Sequence, residues 1–320
     1  MKPVLFVGNR PLDRSENIRA IWDAYDGEKD YATKSHPSYI RNAEGVYSVI
    51  VADDFLPIIQ GKNDVKTVMV THGMFGDKTY GLQQPHPYHT RASAEQLDCV
   101  ITSSTKTVGL AAEQCGVDES RVLPLGLPRT DAYIGKRKGE GGTGYGSEEM
   151  YLYVPTFRFP MPDIDWNAID QLLDDCETLV VKRHQVTKEP LLGRQTYERI
   201  VEVDPHLPTT PYLIDCDVVV TDYSSVMFDG YVLGKPSVLF CPDWHTYLRE
   251  RGMAYDYPTE YSSRWLGHRD YRALVDLMRD AREKGMGRAD RECLDWVADK
   301  VDGHSTERVI ALVKELSCGS

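Results

Sequence analysis

Residues 216–243 read CDVVVTDYSSVMFDGYVLGKPSVLFCPD, and this stretch decides the fold. Residues 218–221 are a short β-branched apolar run, which predicts a buried strand. The strand ends at the polar turn Asp222–Ser225, and an apolar helix is predicted from Val226 to Leu233, before a Gly-Lys-Pro sequence. A second buried strand over 237–240 completes a strand–helix–strand unit, which is the building block of a parallel α/β sheet.

The turn Asp222–Ser225 combines two features that favour an anionic ligand. It follows the carboxyl end of a predicted parallel strand, and it begins a helix whose first N–H groups carry partial positive charge. Ser224 and Ser225 add two hydroxyl donors. An ordinary capped helix, with Asp222 as the cap, explains the same residues, so the turn alone does not decide between a ligand site and a structural one.

The rest of the chain repeats this alternation of short buried strands and helices, which predicts an α/β fold with doubly wound parallel sheets. A length of 320 residues favours two domains. The glycine-rich and charged segment 135–147 is expected to be a flexible linker between an N-terminal domain, 1–134, and a C-terminal domain, 148–320. The last predicted helix, 305–316, is expected to pack back on the N-terminal domain.

Composition excludes several classes of function. The net charge of −12 argues against a nucleic-acid-binding surface. The seven cysteines never form a CxxC pair, which indicates a reducing cytoplasm and neither a disulfide scaffold nor a zinc site. Since no apolar run approaches ~20 residues, any membrane contact is expected to be peripheral. Arginines between 249 and 282 could supply such a contact, or could simply be solvated.

Polar residues stand directly after several predicted strands. His72, Arg158 and His184 do so, as does the turn Asp222–Ser225. The carboxyl ends of the strands line the ligand crevice of an open α/β sheet, so two such sheets facing each other predict a nucleotide site in a cleft. Each residue also has a structural explanation, such as pairing of Arg158 with Asp163 or a surface position for His184.

Several segments in a fixed order resemble one family. They are THGMFGDKTYG at 71–81, LPLGLPRTD at 123–131, VPTFR at 154–158, VKRH at 181–184 and TDYSSVMFDGYVLGKPSVLF at 221–240. In this order the chain resembles the CDP-glycerol glycerophosphotransferases, the teichoic acid primases and polymerases. The resemblance implies the GT-B fold, with two Rossmann-like domains facing across a cleft.

The resemblance implies a donor and an acceptor. The donor would be CDP-glycerol or another CDP-alcohol, and the acceptor a hydroxyl of a lipid-linked saccharide or a polyol phosphate. The reaction would release CMP in teichoic-acid-like cell wall or capsule polymer biosynthesis, on the cytoplasmic side of the membrane. The loop after Thr71 departs from the family pattern at Met74 and Phe75, so the acceptor stays open. The identity of the polyol, single or repeated addition, and the oligomeric state also stay open.

Roles for individual residues follow from the resemblance. His72 would act as the general base, and Arg158 and His184 would contact the diphosphate, with His184 also stabilising the leaving phosphate. Ser224 and Ser225 would hold phosphate oxygens. The other candidates are Asp222, which would order the turn, Asp229, which would orient the glycerol or a serine, and Arg129, which would line the cleft from the other domain.

No cofactor is expected to be required. Mg²⁺ is compatible with phosphoryl transfer but is not indicated, because the strand-end residues contain no Asp-x-Asp pair and the adjacent Asp53 and Asp54 diverge. Two alternatives stay open: a GT-B glycosyltransferase or nucleotide-sugar epimerase, and a non-catalytic nucleotide-binding protein of the same fold.

Overall fold

A computed structural model describes residues 2–71, 73–76, 80–81, 90–145, 149–193, 195–253 and 258–318. The chain divides into two compact units. The first comprises Met1–Ile134 together with Trp296–Ser320, and the second comprises Gly135–Asp295. Residues from Trp296 onward thus group with the first unit, including the last helix that the sequence predicts to pack there, whereas the sequence predicts residues 296–304 in the C-terminal domain.

The first unit contains a parallel sheet in the order β2-β1-β3-β4-β5-β6. Its strands are β1 (Val4–Gly8), β2 (Lys29–Thr33), β3 (Val49–Ala52), β4 (Lys66–Val70), β5 (Cys99–Thr102) and β6 (Val122–Pro124). Every residue of β1 and β3 is buried, as expected for central strands covered on both faces.

The second unit contains a parallel sheet in the order β12-β11-β10-β7-β8-β9. Its strands are β7 (Glu149–Val154), β8 (Glu177–Val181), β9 (Ile200–Glu202), β10 (Val218–Thr221), β11 (Ser237–Phe240) and β12 (Trp265–Leu266). Alternate residues of β7 enter two apolar clusters: Tyr151 and Tyr153 one, Met150 and Leu152 the other. Both faces of this sheet are therefore covered, which makes it doubly wound.

Helices alternate with most of these strands along the chain, and the last helices follow the final strand. They are α1 (Glu16–Ala24), α2 (Pro37–Arg41), α3 (Arg91–Glu95), α4 (Val108–Cys115), α5 (Trp166–Asp170), α6 (Thr210–Asp215), α7 (Val226–Val232), α8 (Trp244–Arg251), α9 (Tyr271–Lys284), α10 (Arg288–Val297) and α11 (Ser305–Cys318). Among the described residues, no helix is long and apolar enough to cross a membrane.

The glycine-rich segment after Ile134 is anchored in the second unit, although the sequence indicated a flexible linker over 135–147. The carboxylate of Asp215 accepts hydrogen bonds from the backbone N–H groups of Gly139, Gly141 and Thr143, at 2.8–3.0 Å. Lys138 also pairs with Asp217, with 2.6 Å between Nζ and Oδ2. These contacts satisfy backbone donors that a free linker would leave to water, so residues 135–145 form part of this unit.

The first turn of α11 is held by the first unit. The backbone N–H groups of Ser305 and Thr306 donate to the carboxylate of Asp131, and Arg308 Nε donates to the carbonyl of Leu125. Asp131 thus satisfies two of the N–H groups that every helix start leaves without an internal partner.

Candidate active site

Three segments of the second unit meet at the carboxyl ends of neighbouring strands. Arg158 follows β7, Asp222 follows β10 and Asp243 follows β11, and these three strands are adjacent in the sheet. Because parallel strands end at the same edge, residues far apart in sequence come together here.

The guanidinium of Arg158 binds two carboxylates. Nη1 donates to Oδ2 of Asp222 at 2.5 Å, while Nε and Nη2 donate to the two oxygens of Asp243 at 2.6 and 3.0 Å. Nη1 also donates to the carbonyl of Thr156 at 2.9 Å. Arg158 thus pairs with Asp222 and Asp243, whereas the structural explanation from the sequence had paired it with Asp163.

The two carboxylates keep Arg158 charged in a buried position, where its side chain is 11% exposed. Burial by itself would lower the pKa of the guanidinium, but the charges of Asp222 and Asp243 outweigh it and raise that pKa above its ordinary value. The result is a permanently protonated and firmly oriented guanidinium.

Two stacked tyrosines cover this ion-pair cluster. The rings of Tyr223 and Tyr247 lie 3.6 Å apart at an angle of 9°, and the Arg158 guanidinium carbon lies 5.2 and 5.9 Å from their centroids. The hydroxyl of Tyr223 donates to Oδ1 of Asp243 at 2.9 Å. The cation–π contacts and this hydrogen bond connect the stack to both charges.

Asp222 orders the turn that follows β10. Its side chain is fully buried, and Oδ1 accepts the backbone N–H groups of Thr156 and Tyr223 at 2.7 and 2.6 Å. One carboxylate therefore fixes its own turn and the segment after β7.

Ser224 and Ser225 form the second half of this turn, directly before α7, and both are half-buried. The hydroxyl of Ser224 accepts a long hydrogen bond, 3.4 Å, from the backbone N–H of Val226. Ser225 is the N-cap residue of α7, but its side chain makes no capping hydrogen bond. The short helix ends at Val232, and Asp229 within it is buried. The predicted roles of Ser224, Ser225 and Asp229 stay predictions.

His184 follows β8 and has a defined orientation. Its Nδ1 accepts the backbone N–H of Val186 at 3.2 Å, so the neutral ring carries its proton on Nε2. The ring also lies 5.9 Å from that of Phe157, centroid to centroid.

The remaining two candidates belong to the first unit. Arg129 lies in a 3-10 helix, Pro128–Ala132, and its backbone N–H donates to Oδ1 of Asn17 at 2.8 Å. His72 lies outside the described residues, and so its predicted role as a general base stays a prediction.

A cavity of about 1010 Å³ opens between the loops that follow β7 and β8. Its wall is mainly aromatic and aliphatic and includes Tyr153, Phe157, Trp166, Leu192 and Tyr197, together with Arg158. Concave, largely apolar cavities of this size with a few polar groups are typical small-molecule sites.

The cavity wall contains two buried hydroxyl oxygens that have no hydrogen-bond partner among the described residues. They belong to Tyr153, which is 3% exposed, and to Thr187. Buried polar atoms of this kind are rare because each costs desolvation free energy. Both oxygens are shielded from the cavity, so a ligand could supply the missing partner only by moving these side chains.

Sequence reasoning missed Asp243, Tyr223, Tyr247 and Tyr153. Asp243 had the same signal as the residues that were found, since it stands close after a buried strand. Tyr153 and Tyr247 gave no such signal, because buried aromatic residues are usually core residues, and Tyr223 stands inside the predicted turn but was given no role of its own.

Acidic side chains pair with two of the arginines between 249 and 282 that were candidates for a membrane contact. Arg264 pairs with Asp280 at 2.7 Å and Arg279 pairs with Glu177 at 2.6 Å. These two arginines are therefore structural, whereas the sequence had counted Arg264 and Arg279 toward a membrane-binding surface.

Asp53 and Asp54 follow β3 and have separate partners. Both oxygens of Asp53 accept the backbone N–H of Asn9, at 2.9 and 3.1 Å, and Asp54 pairs with Lys34 at 3.0 Å. In the described ranges, no three His, Cys, Asp or Glu side chains are grouped closely enough to hold a metal ion.

These features define an α/β protein of the GT-B type with a candidate ligand site at the strand ends of its second unit. Residues 13–315 match the family model described as CDP-Glycerol:Poly(glycerophosphate) glycerophosphotransferase. The chain belongs to this family.

Two relatives illustrate the range of the family. A teichoic acid poly(ribitol-phosphate) polymerase of Bacillus spizizenii is 26% identical over 284 residues, which are 79% of this chain and 45% of that protein. A teichoic acid glycerol-phosphate primase of Bacillus subtilis is 24% identical over 228 residues, 65% of this chain and 59% of that protein. The chain thus spans about half the length of these relatives.

A solved structure agrees with the fold. A variant of the wall teichoic acid polymerase TagF superimposes with a TM-score of 0.81 at 16% identity, covering 99% of this chain and 90% of that chain. This similarity confirms the predicted fold class.

Proposed function

We propose that the protein transfers a polyol phosphate from a CDP-alcohol to a hydroxyl of an acceptor and releases CMP. The observation that carries the proposal is the position of Arg158, which lines the cavity and is also bonded to Asp222 in the turn after β10. An elongated donor could thus extend from the cavity to the turn, with Arg158 beside it. Membership of the family also supports the transfer of a polyol phosphate from a CDP-alcohol.

In this proposal the nucleoside occupies the cavity. The aromatic wall suits a flat base, and the hydroxyls of Tyr153 and Thr187 would supply donors for its carbonyl or for the ribose once their side chains turn toward it. The wall carries Asp163, Asp165 and Glu189 against Arg158 and Lys188, a balance that favours a neutral group over a phosphate.

The diphosphate is proposed to lie at the turn. Ser224 and Ser225 would contribute their hydroxyls and nearby backbone N–H groups to its oxygens. The described contacts account for four of the five N–H groups of Arg158, so one Nη2 N–H would donate to a phosphate oxygen. His184 would donate its Nε2 proton to the departing phosphate, and Asp229 would orient the polyol or a serine.

The transfer itself is an in-line displacement. The acceptor oxygen attacks the phosphorus that carries the polyol, a new P–O bond forms, and the bond from this phosphorus to the bridging oxygen breaks as CMP leaves. His72 would take the proton of the attacking hydroxyl, a task suited to neutral imidazole near pH 7. Arg129, in the first unit, would contribute to holding the substrates. No resident metal is needed in this scheme.

The names of the relatives leave the polyol open, since they include ribitol-phosphate and glycerol-phosphate enzymes. We propose CDP-glycerol or CDP-ribitol as donor and a lipid-linked saccharide or a polyol phosphate as acceptor. Such an acceptor would bring the protein into peripheral contact with the inner face of the membrane.

The test is turnover of a donor panel. Purified protein is incubated with lipid-linked disaccharide acceptor and CDP-glycerol, CDP-ribitol or nucleotide sugars, and the released nucleotide is identified by chromatography. We expect CMP from a CDP-alcohol, and none from the variant His72→Ala. Turnover of a nucleotide sugar alone would contradict the proposal, as would donor binding by the wild type without turnover.

A further inference from the structure

We propose that Asp243 is a positioning residue for the donor diphosphate, acting through Arg158 and Tyr223. This inference rests on the proposed function and adds a residue that neither the turn motif nor the predicted histidines contain. Asp243 stands between β11 and α8, outside the turn itself.

Asp243 fixes the orientation of the guanidinium. It binds Nε and Nη2 of Arg158 with both carboxylate oxygens, the fork-to-fork geometry that sets the plane of an arginine most strictly. Because one Nη2 N–H donates to Asp243, the direction of the second N–H on the same nitrogen is fixed as well. That second N–H is the one left for a phosphate oxygen.

Asp243 also fixes the turn from its other side. Oδ1 accepts the hydroxyl proton of Tyr223, and Tyr223 immediately precedes Ser224. The ring of Tyr223 is buried and stacked on Tyr247, so the hydroxyl, the ring and the backbone of this residue are all constrained. The position of the two serines therefore depends on the same carboxylate.

Charge supports a positioning role over simple charge neutralisation. Arg158 contributes one positive charge, while Asp222 and Asp243 contribute two negative charges, so the cluster has a net charge of −1. Asp222 is fully buried and would suffice as a counterion for Arg158, whereas Asp243 is 24% exposed. Because Asp222 already balances the charge of Arg158, neutralisation does not explain Asp243, whereas holding the guanidinium and the Tyr223 hydroxyl in place does.

The test compares Asp243→Asn with Asp280→Asn. The control removes a carboxylate charge from a similar pair, because Asp280 is 34% exposed and binds Nε of the buried Arg264 at 2.7 Å, outside the three segments of the site. The Kd of the donor is measured by titration calorimetry, kcat and KM by CMP release, and the melting temperature by circular dichroism.

We expect Asp243→Asn to weaken donor binding at least tenfold and to raise KM by a similar factor, with kcat changed less than threefold. Asp280→Asn should lower the melting temperature comparably but leave Kd within threefold of wild type, and Asp243→Glu should recover part of the lost affinity. Tighter binding, or a Kd for Asp243→Asn within threefold of wild type, would overturn the inference.

Three further outcomes separate the failure of this inference from the failure of the proposed function. If Asp243→Asn does not fold, Tyr223→Phe replaces it, because that change removes only the hydroxyl that Asp243 accepts; we expect a Kd at least threefold weaker, and an unchanged Kd refutes the inference. If the wild type binds no CDP-alcohol, the proposed function fails and this inference fails with it. If the wild type and Asp243→Asn bind the donor equally well, this inference is wrong but the proposed function is not contradicted.

Discussion

Nη1 of Arg158 donates a hydrogen bond to Oδ2 of Asp222 across 2.5 Å, although 64 positions separate the two residues in sequence. The bond joins the segment after β7 to the turn after β10, and it runs between a fully buried carboxylate and a nearly buried guanidinium. Removing one partner of such a pair costs far more than losing an exposed ion pair, because the other charge stays buried.

Asp222→Asn should therefore destabilise the protein by about 3 kcal/mol. The amide keeps one acceptor but removes the charge that faces Arg158, and its own N–H₂ group replaces an oxygen that accepted a hydrogen bond. Urea denaturation followed by circular dichroism measures the change. Asp302→Asn, which breaks an exposed pair with Arg308, serves as the control and should cost less than about 1 kcal/mol. Equal losses in the two variants would refute the structural role.

His72→Ala should separate chemistry from binding. Loss of a general base typically lowers turnover by about 10²–10⁴-fold, while donor affinity should stay within about threefold because the base acts on the acceptor hydroxyl. Arg158→Ala should instead weaken donor binding. Turnover is measured by CMP release and affinity by calorimetry. Loss of donor binding in His72→Ala but not in Arg158→Ala would reverse the proposed roles.

Tyr153→Phe should affect stability and binding in opposite directions. The buried hydroxyl of Tyr153 has no partner in the described structure, so its removal should leave the melting temperature unchanged or slightly higher. Donor affinity should fall by about five- to tenfold, the effect of one lost hydrogen bond of about 1 kcal/mol. Tyr212→Phe, at a tyrosine outside the cavity wall, is the control. Unchanged affinity in Tyr153→Phe would show that the nucleoside does not use this hydroxyl.

Asp53 should make the first unit less stable as pH rises. Burial, with a smaller contribution from the charge of Asp54, raises the pKa of this carboxyl to about 6 against the opposing effect of the Asn9 N–H. Between about pH 4 and 6 the folded state then binds more protons than the unfolded state, so the free energy of unfolding falls as pH increases. The free energy of unfolding of Asp53→Asn, taken relative to that of the wild type, should rise by roughly 2–3 kcal/mol between pH 4 and pH 7.

Asp98 supplies a control of opposite sign for this pH dependence. Burial would raise the pKa of Asp98, but the hydrogen bonds from Lys62 and Thr67 lower it below its ordinary value. Its stabilising contribution is therefore present at neutral pH and is lost as pH falls through the folded-state pKa. Asp98→Asn should be most destabilising at pH 7. Parallel pH profiles for the Asp53 and Asp98 variants would contradict the assignment.

Removal of metal should leave turnover within about twofold of the untreated enzyme, because guanidinium, imidazole and backbone N–H groups are proposed to hold the phosphate charge. The measurement is CMP release after treatment with a chelator. A loss of turnover that Mg²⁺ restores would refute this prediction.

Much of the fold was predictable from the sequence. The strands at Val218–Thr221 and Ser237–Phe240 have the predicted bounds, because short apolar runs are local signals. The strands β2, β9 and β12 carry no such signal. β2 reads KDYAT and is mostly half-exposed, while β9 and β12 have three and two residues, so none of them shows a strong apolar pattern.

Apolar runs in the sequence predict which residues stand at strand ends, and hence that Arg158, His184 and the turn Asp222–Ser225 are candidates for one site. Only the tertiary structure decided that Arg158 binds Asp222 and Asp243. Parallel strands are joined through long crossovers, so spatial neighbours are not neighbours in sequence. In this sheet β7 lies beside β10, and β10 lies beside β11. That order alone brings the three charges together, and no local pattern encodes it.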